Sequence, residues 1–193
     1  MTPLPDSLLE AVAAAAVREG LADAVFTRLA TPIGRLLVVQ GERGIVRVGF
    51  EDEAEDHLLA EVAAAFGPRI VASDRELAAT RDTLDAYFAG EGDPQALPFD
   101  LTLVPAPFRH VVLETLHDSV PSGEVVTYGT LAERAGNARA FRAAATACAR
   151  NPIPIVVPCH RVLPAGGGIG NYGGGPARKR ALLELEGAIS PQR

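Results

Sequence analysis

Three runs rich in Val, Ile and Leu follow one another closely, at residues 24–29, 35–40 and 45–50. The segments Thr31-Pro32-Ile33-Gly34 and Gly41-Glu42-Arg43-Gly44 separate them. Short aliphatic runs bounded by Gly-containing turns read as strands, and together these three form an antiparallel meander. Helical periodicity surrounds it. Leu58, Leu59, Val62 and Phe66 make one stripe and predict a helix over 53–66. Residues 69–72 fit a short strand, and 76–88 a second amphipathic helix carrying Leu77, Leu84 and Phe88. Upstream, the Ala-rich segment 6–19 predicts a helix with Asp6 or Ser7 as cap and Gly20 as terminator.

The pattern changes near residue 90. Residues 90–106 carry Gly, Asp and three Pro, with room for a short strand at 99–103 only. Beyond them the chain reads as mostly helical. Phe108, Val112, Leu113 and Leu116 form a stripe over 108–119. Segments 127–135 and 139–150 are short helices joined by Gly136-Asn137-Ala138, and 177–186 is a last helix. The fold class is therefore α/β (α+β): an N-terminal antiparallel-sheet domain with helices, then a mostly helical C-terminal domain. The divisions are an extension at 1–23, a domain at 24–98, a linker at 99–106 and a domain at 107–193.

Charge follows the same division. Residues 1–100 hold 8 Arg and 18 Asp or Glu, whereas residues 101–193 hold 10 Lys or Arg and 6 Asp or Glu. The net charge of −6 thus hides a basic second half. Polyanion binding responds to local potential within a Debye length of about 8–10 Å, so the total does not exclude nucleic acid. With 48% hydrophobic and 22% charged residues the chain is globular, and no apolar run approaches the ~18 residues of a membrane span. The N-terminus lacks a basic n-region, and Cys148 and Cys159 are too few for a disulfide framework or an all-cysteine zinc site. These features point to a cytoplasmic protein with no metal and no cofactor.

Two features carry chemistry. The paired helices 127–135 and 139–150 form a helix-turn-helix pattern, with Arg134, Arg139, Arg142, Arg150 and Arg161 within or just after it. The only acid from 127 to 161 is Glu133. Ala140, Ala143, Ala144, Ala145 and Ala147 let the second helix approach either a DNA groove or a neighbouring helix closely. Next, Pro158-Cys159-His160-Arg161-Val162 follows a strand-like run at 153–157. A Cys flanked by His and Arg sits in a setting that favours a thiolate, while the alternative is a buried, inert thiol. Neighbouring side chains of an extended chain diverge, so a bridging water is one way to link Cys159 to His160. Cys148 reads as packing.

In this order and spacing, the pieces VPSGEVVTYGTLA (120–132), AGNARAFRAA (135–144), ARNPIPIVVPCHRV (149–162), GIGNYGGG (168–175) and RKRALLELEG (178–187) resemble the O6-alkylguanine-DNA alkyltransferases. Weaker resemblance extends over 31–50 and 107–116. It implies a ribonuclease H-like N-terminal domain and a helix-turn-helix C-terminal domain. The implied activity is direct DNA repair by single-turnover transfer of an alkyl group from O6 of guanine, or less efficiently O4 of thymine, to the protein's own Cys159.

Residue by residue, the resemblance implies that His160 is the base, acting through a water, and that Glu186 holds its tautomer. It makes Arg142 the side chain that enters the base stack. Tyr128 aids nucleotide rotation and proton donation. Asn151 ties the helix-turn-helix to the active-site turn. Arg139, Ala143 and Arg150 complete the DNA-facing set, and Tyr172, Gly173 and Val162 line the base pocket. The implied partner is double-stranded DNA held through its minor groove by a monomer, with no membrane. Phe141 departs from the small residue common in the family and reads as core packing, with a DNA wedge as the alternative. Gly173 stands where Ser or Ala is usual, so a backbone N–H serves there instead. Two other readings are a lesion-binding protein without transfer, against which Cys159 itself argues, and a cysteine hydrolase, which leaves the basic hairpin unexplained.

Overall fold

A computed structural model describes residues 5–191, so residues 1–4 of the N-terminal extension and residues 192–193 lie outside the description. Helix α1 (Asp6–Arg18) has Pro5 in the cap position, ahead of the expected Asp6 or Ser7. Strands β1 (Ala24–Thr31), β2 (Gly34–Gly41) and β3 (Gly44–Phe50) form the expected antiparallel meander. Strand β4 (Ile70–Ala72) then adds to β1 in parallel, so the sheet is mixed, with order β3-β2-β1-β4.

Period-two alternation sorts the sheet's side chains onto two faces, with a register shift opposite Val39 and Gln40 that changes the phase of β3 between Val46 and Val48. Leu37, Val39 and Val46 meet Leu58 and Val62 of helix α2 (Glu55–Phe66) in one cluster. Leu36, Val38, Val48 and Phe50 face the other way, into a larger cluster. That cluster takes in Leu84 of helix α3 (Ala78–Phe88), Leu113 and Leu116 of helix α4 (Pro107–Ser119), and Cys159. One core therefore runs through both halves of the chain.

Residues 99–106 are not a free tether. Leu101 and Val104 are buried, and Asp100 accepts from Thr102 N at 2.9 Å and Arg43 Nε at 3.0 Å. The predicted strand at 99–103 is reduced to a single bridge between Ile45 and Phe99. Gly44, at φ 136°, has no room for a side chain there, since a Cβ would lie 2.4 Å from the Pro98 backbone.

The paired helices are α5 (Tyr128–Arg134) and α6 (Phe141–Ala149). Thr127 caps α5 by accepting from Thr130 N at 3.1 Å. Gly136 at φ 85° turns the chain between the helices. Two short strands, β5 (Val126–Thr127) and β6 (Val162–Leu163), pair in parallel and bring the segment after Cys159 beside α5. Helix α7 (Gly175–Leu185) closes the chain against the active-site turn. Among the described residues no helix is long and apolar enough to cross a membrane.

Candidate active site

Residues 153–157 are not a strand, contrary to the sequence reading. Pro152 and Pro154 supply no N–H for a ladder, so the segment coils into a buried turn instead. Ile155 takes φ 77°, the one positive value among described residues other than glycine. A β-branched residue adopts that region only where its surroundings overdetermine it. Asn151 does so: Oδ1 accepts from Ile153 N at 3.0 Å, and Nδ2 donates to Val157 O at 2.8 Å. The same Nδ2 lies 3.2 Å from Cys159 Sγ. The free edge of β3 also holds this turn, as Val48 N donates to Pro152 O at 2.9 Å.

Cys159, His160 and Arg161 form a single 3₁₀ turn, and all three are buried. His160 Nε2 lies 2.8 Å from Glu186 Oε1. Burial alone would raise the Glu186 pKa, but hydrogen bonds from His160 and Arg161 hold it at about 2. An ionised carboxylate only accepts, so the imidazole carries its proton on Nε2. Burial keeps the ring neutral by lowering its pKa, with Glu186 acting in the opposite direction. The Nδ1 atom, buried and without a protein partner, is therefore a free basic lone pair.

The thiol differs from the sequence expectation. Burial pushes Cys159 up to about 11, against the Asn151 hydrogen bond and the Lys179 charge. The reason is where Arg161 points. Its Nε donates to Glu186 Oε2 at 2.8 Å and its Nη2 to Oε1 at 2.9 Å, while Nη1 reaches Val120 O at 2.7 Å and Gln95 Oε1. The guanidinium is spent on the carboxylate and does not face the sulfur. A neutral thiol beside a neutral base means that the proton must move when the sulfur reacts.

A cavity of about 550 Å³ opens onto this sulfur, within the usual range for a small-molecule site. Tyr128, Ala145, Thr146 and Ala149 line it from the paired helices, and Gly170, Asn171, Tyr172 and Gly173 from the glycine-rich loop. Tyr172 stands edge-on to His160, with ring centroids 6.3 Å apart, and edge-on to Phe50 at 5.9 Å. Gly174 lets Phe50 come this close, because a Cβ there would lie 2.7 Å from the ring. Val162, expected in the pocket, is fully buried in β6 and does not line the cavity. Cys148, expected to be simple packing, is buried but also borders the cavity.

Arg139, Arg142, Ala143 and Arg150 are exposed on or beside α6. Arg161 leaves the basic set, being buried in its ion pair. Phe141 is 47% exposed, with the Arg142 guanidinium 5.4 Å over its ring, so it is not core packing.

Sequence reasoning also missed Tyr87, Gln95 and Lys179. Tyr87 Oη donates to Glu186 Oε1 at 2.7 Å. Lys179, the single lysine, is fully buried and donates to Val162 O at 2.7 Å and Asn171 O at 3.3 Å, tying the glycine-rich loop to β6. It lies in an Arg-Lys-Arg run that reads as solvated charge, so no local signal marks it. Among the described residues no group of three or more His, Cys, Asp or Glu side chains could hold a metal ion.

Comparison with known proteins matches residues 107–188 to the family described as "6-O-methylguanine DNA methyltransferase, DNA binding domain" and residues 24–101 to its "ribonuclease-like domain". A protein of Mycobacterium bovis named "Methylated-DNA--protein-cysteine methyltransferase" is 46% identical over 110 residues, covering 57% of this chain. The match spans 65% of that relative's length, and 61% of the Mycobacterium leprae relative's. A protein of the same name from Methanosarcina acetivorans is 37% identical over 160 residues, 82% of this chain and 95% of its own length. The O6-methylguanine methyltransferase structure from Mycobacterium tuberculosis superposes with a TM-score of 0.73 at 33% identity, covering 88% of this chain and 96% of that one. A Mycobacterium tuberculosis structure in complex with DNA superposes at 0.69 and 33% identity, covering 85% and 93%.

Proposed function

The chain belongs to the 6-O-methylguanine DNA methyltransferase family, and on that premise we propose that it repairs DNA by moving an alkyl group from O6 of guanine to Cys159. One observation carries this reading. The thiol that adjoins a carboxylate-braced imidazole in the chain borders a cavity walled by the exposed basic helix pair.

The chemistry is an SN2 displacement. Sγ attacks the alkyl carbon, a C–S bond forms, and the C–O bond to guanine breaks. The thiol proton passes to His160 Nδ1 through a water, and Glu186 stabilises the resulting imidazolium. The departing guanine anion takes a proton from Tyr128, which burial keeps protonated by raising its pKa. A thioether has no easy route back to a thiol, so each protein molecule acts once. O4 of thymine presents a similar leaving group and is a poorer substrate.

A stacked base cannot reach a buried sulfur, so the lesion must leave the duplex at a cost of a few kcal/mol. Arg142, at the exposed start of α6, fills the gap; its planar guanidinium both stacks and donates hydrogen bonds. Arg139 and Arg150 hold phosphates, and Ala143 keeps α6 slim enough for the minor groove. Tyr172 and Gly173 wall the flipped base. One copy of the chain, in the cytoplasm, suffices.

Intact mass after incubation with an O6-methylguanine duplex tests the reading. Exactly one added methyl, on Cys159 and in one equivalent, is expected; no adduct, or repeated turnover, sinks it. Arg142→Ala is expected to slow transfer from duplex DNA by about 10- to 100-fold while sparing transfer from free O6-benzylguanine. Equal losses on both substrates would rule out a flipping role for Arg142.

A further inference from the structure

We propose that Tyr87 is a positioning residue for the His160–Glu186 pair, through which the N-terminal half of the chain tempers the activation of Cys159. This rests on the reading of Cys159 as the reacting group. Tyr87 lies on α3, is 2% exposed, and sits 99 positions from Glu186 in sequence. Its hydroxyl donates to Oε1 at 2.7 Å, the same oxygen that faces His160 Nε2 at 2.8 Å and Arg161 Nη2 at 2.9 Å. The Phe88 ring packs edge-on at 5.1 Å and fixes the phenol's orientation.

Three donors therefore share the oxygen that braces the imidazole. The charged groups acting on His160 are Glu186, Arg161 and Lys179, with the Tyr172 ring edge-on beside it. Tyr87 adds no charge. It withdraws electron density from Oε1 and so weakens the pull of the carboxylate on the Nε2 proton. Without the hydroxyl, Oε1 holds more charge for His160, the imidazole becomes a stronger base, and the Cys159 proton leaves at lower pH. A residue serving only to fill the core would not alter that titration.

The experiment is the pH dependence of Cys159 alkylation by iodoacetamide in the full chain, read by peptide mass, for wild type and Tyr87→Phe. The thiolate displaces iodide, the C–S bond forms, and the thiol proton goes to His160. In Tyr87→Phe the midpoint is expected to move down by about one pH unit. An unchanged midpoint, even with a lower melting temperature, reduces Tyr87 to a structural role and overturns the proposal, as does an upward shift. Should Tyr87→Phe not fold, 3-fluorotyrosine at position 87 keeps the ring and donates more strongly. The midpoint must then rise, and no movement overturns the proposal. Iodoacetamide needs neither DNA nor a modified base. Wild type that takes no methyl from O6-methylguanine DNA but shows the Tyr87 shift would sink the proposed function alone.

Discussion

Cys159→Ala is expected to abolish methyl uptake from an O6-methylguanine duplex while leaving duplex affinity within a few-fold of wild type. The sulfur makes one side-chain hydrogen bond, from Asn151 at 3.2 Å, and that amide keeps its bond to Val157 O when the sulfur is removed. The strained turn at Ile155 is therefore still held. The exposed arginines of the helix pair make no hydrogen bond to the thiol, whose bond is to Asn151. Burial pushes the Cys148 thiol up further than that of Cys159, which disfavours Cys148 as a substitute nucleophile. Intact mass and fluorescence anisotropy measure the two halves of this expectation. Methyl uptake by the variant would place the reacting atom elsewhere.

Glu186→Gln is expected to cost both rate and stability. Arg161 is fully buried and donates to both carboxylate oxygens, so an amide leaves that charge partly unpaired. Breaking a buried pair costs about 3–5 kcal/mol. The imidazolium also loses its counter-charge, and transfer at neutral pH should fall by about 100-fold or more. The pH dependence identifies the source. Glu186 is held at about 2 against an ordinary 4.5, so its contribution is complete above about 4.5 and is lost as pH falls towards 2. His160, whose pKa is lowered by burial, adds a component that is present above about 6.5 and is lost on acidification. Urea unfolding of both proteins from pH 7 to pH 2 should show the stability gap closing between about 4.5 and 2. A gap that stays constant would mean that the loss comes from packing and not from charge.

Much of the fold was legible in the sequence because its signals are local. The meander shows in runs of Val, Ile and Leu between glycine turns, and the helices in their stripes. Errors arose where a local signal has two solutions. Ile153-Pro154-Ile155-Val156-Val157 is apolar enough for a strand, but the prolines leave a ladder without donors, and the side chain of Asn151 organises a turn in its place. Phe141, a departure from the family's small residue, reads as core packing with a DNA wedge as the alternative, yet α6 turns that position outward while Ala144, Ala147 and Cys148 face the core. The Gly, Asp and Pro content of 90–106 marks a break from regular structure, within which Pro94–Ala96 makes one 3₁₀ turn. The segment's packing against Ile45 through Pro98 and Asp100 has no sequence signature.

By itself the sequence determined which residue types are available, and in what order: one thiol after a proline-rich turn, a neighbouring imidazole, a basic helix pair and a terminal-helix acid. Only the tertiary structure decided their protonation and partners. Arg161 adjoins His160 in the chain and would favour a thiolate if it faced the sulfur, but it is turned to Glu186, and Cys159 is left as a neutral thiol. Tyr87 and Gln95, remote in sequence, complete the same network. The physical reason is that propensity and periodicity act over a few residues, whereas charge states depend on burial and on distances through space.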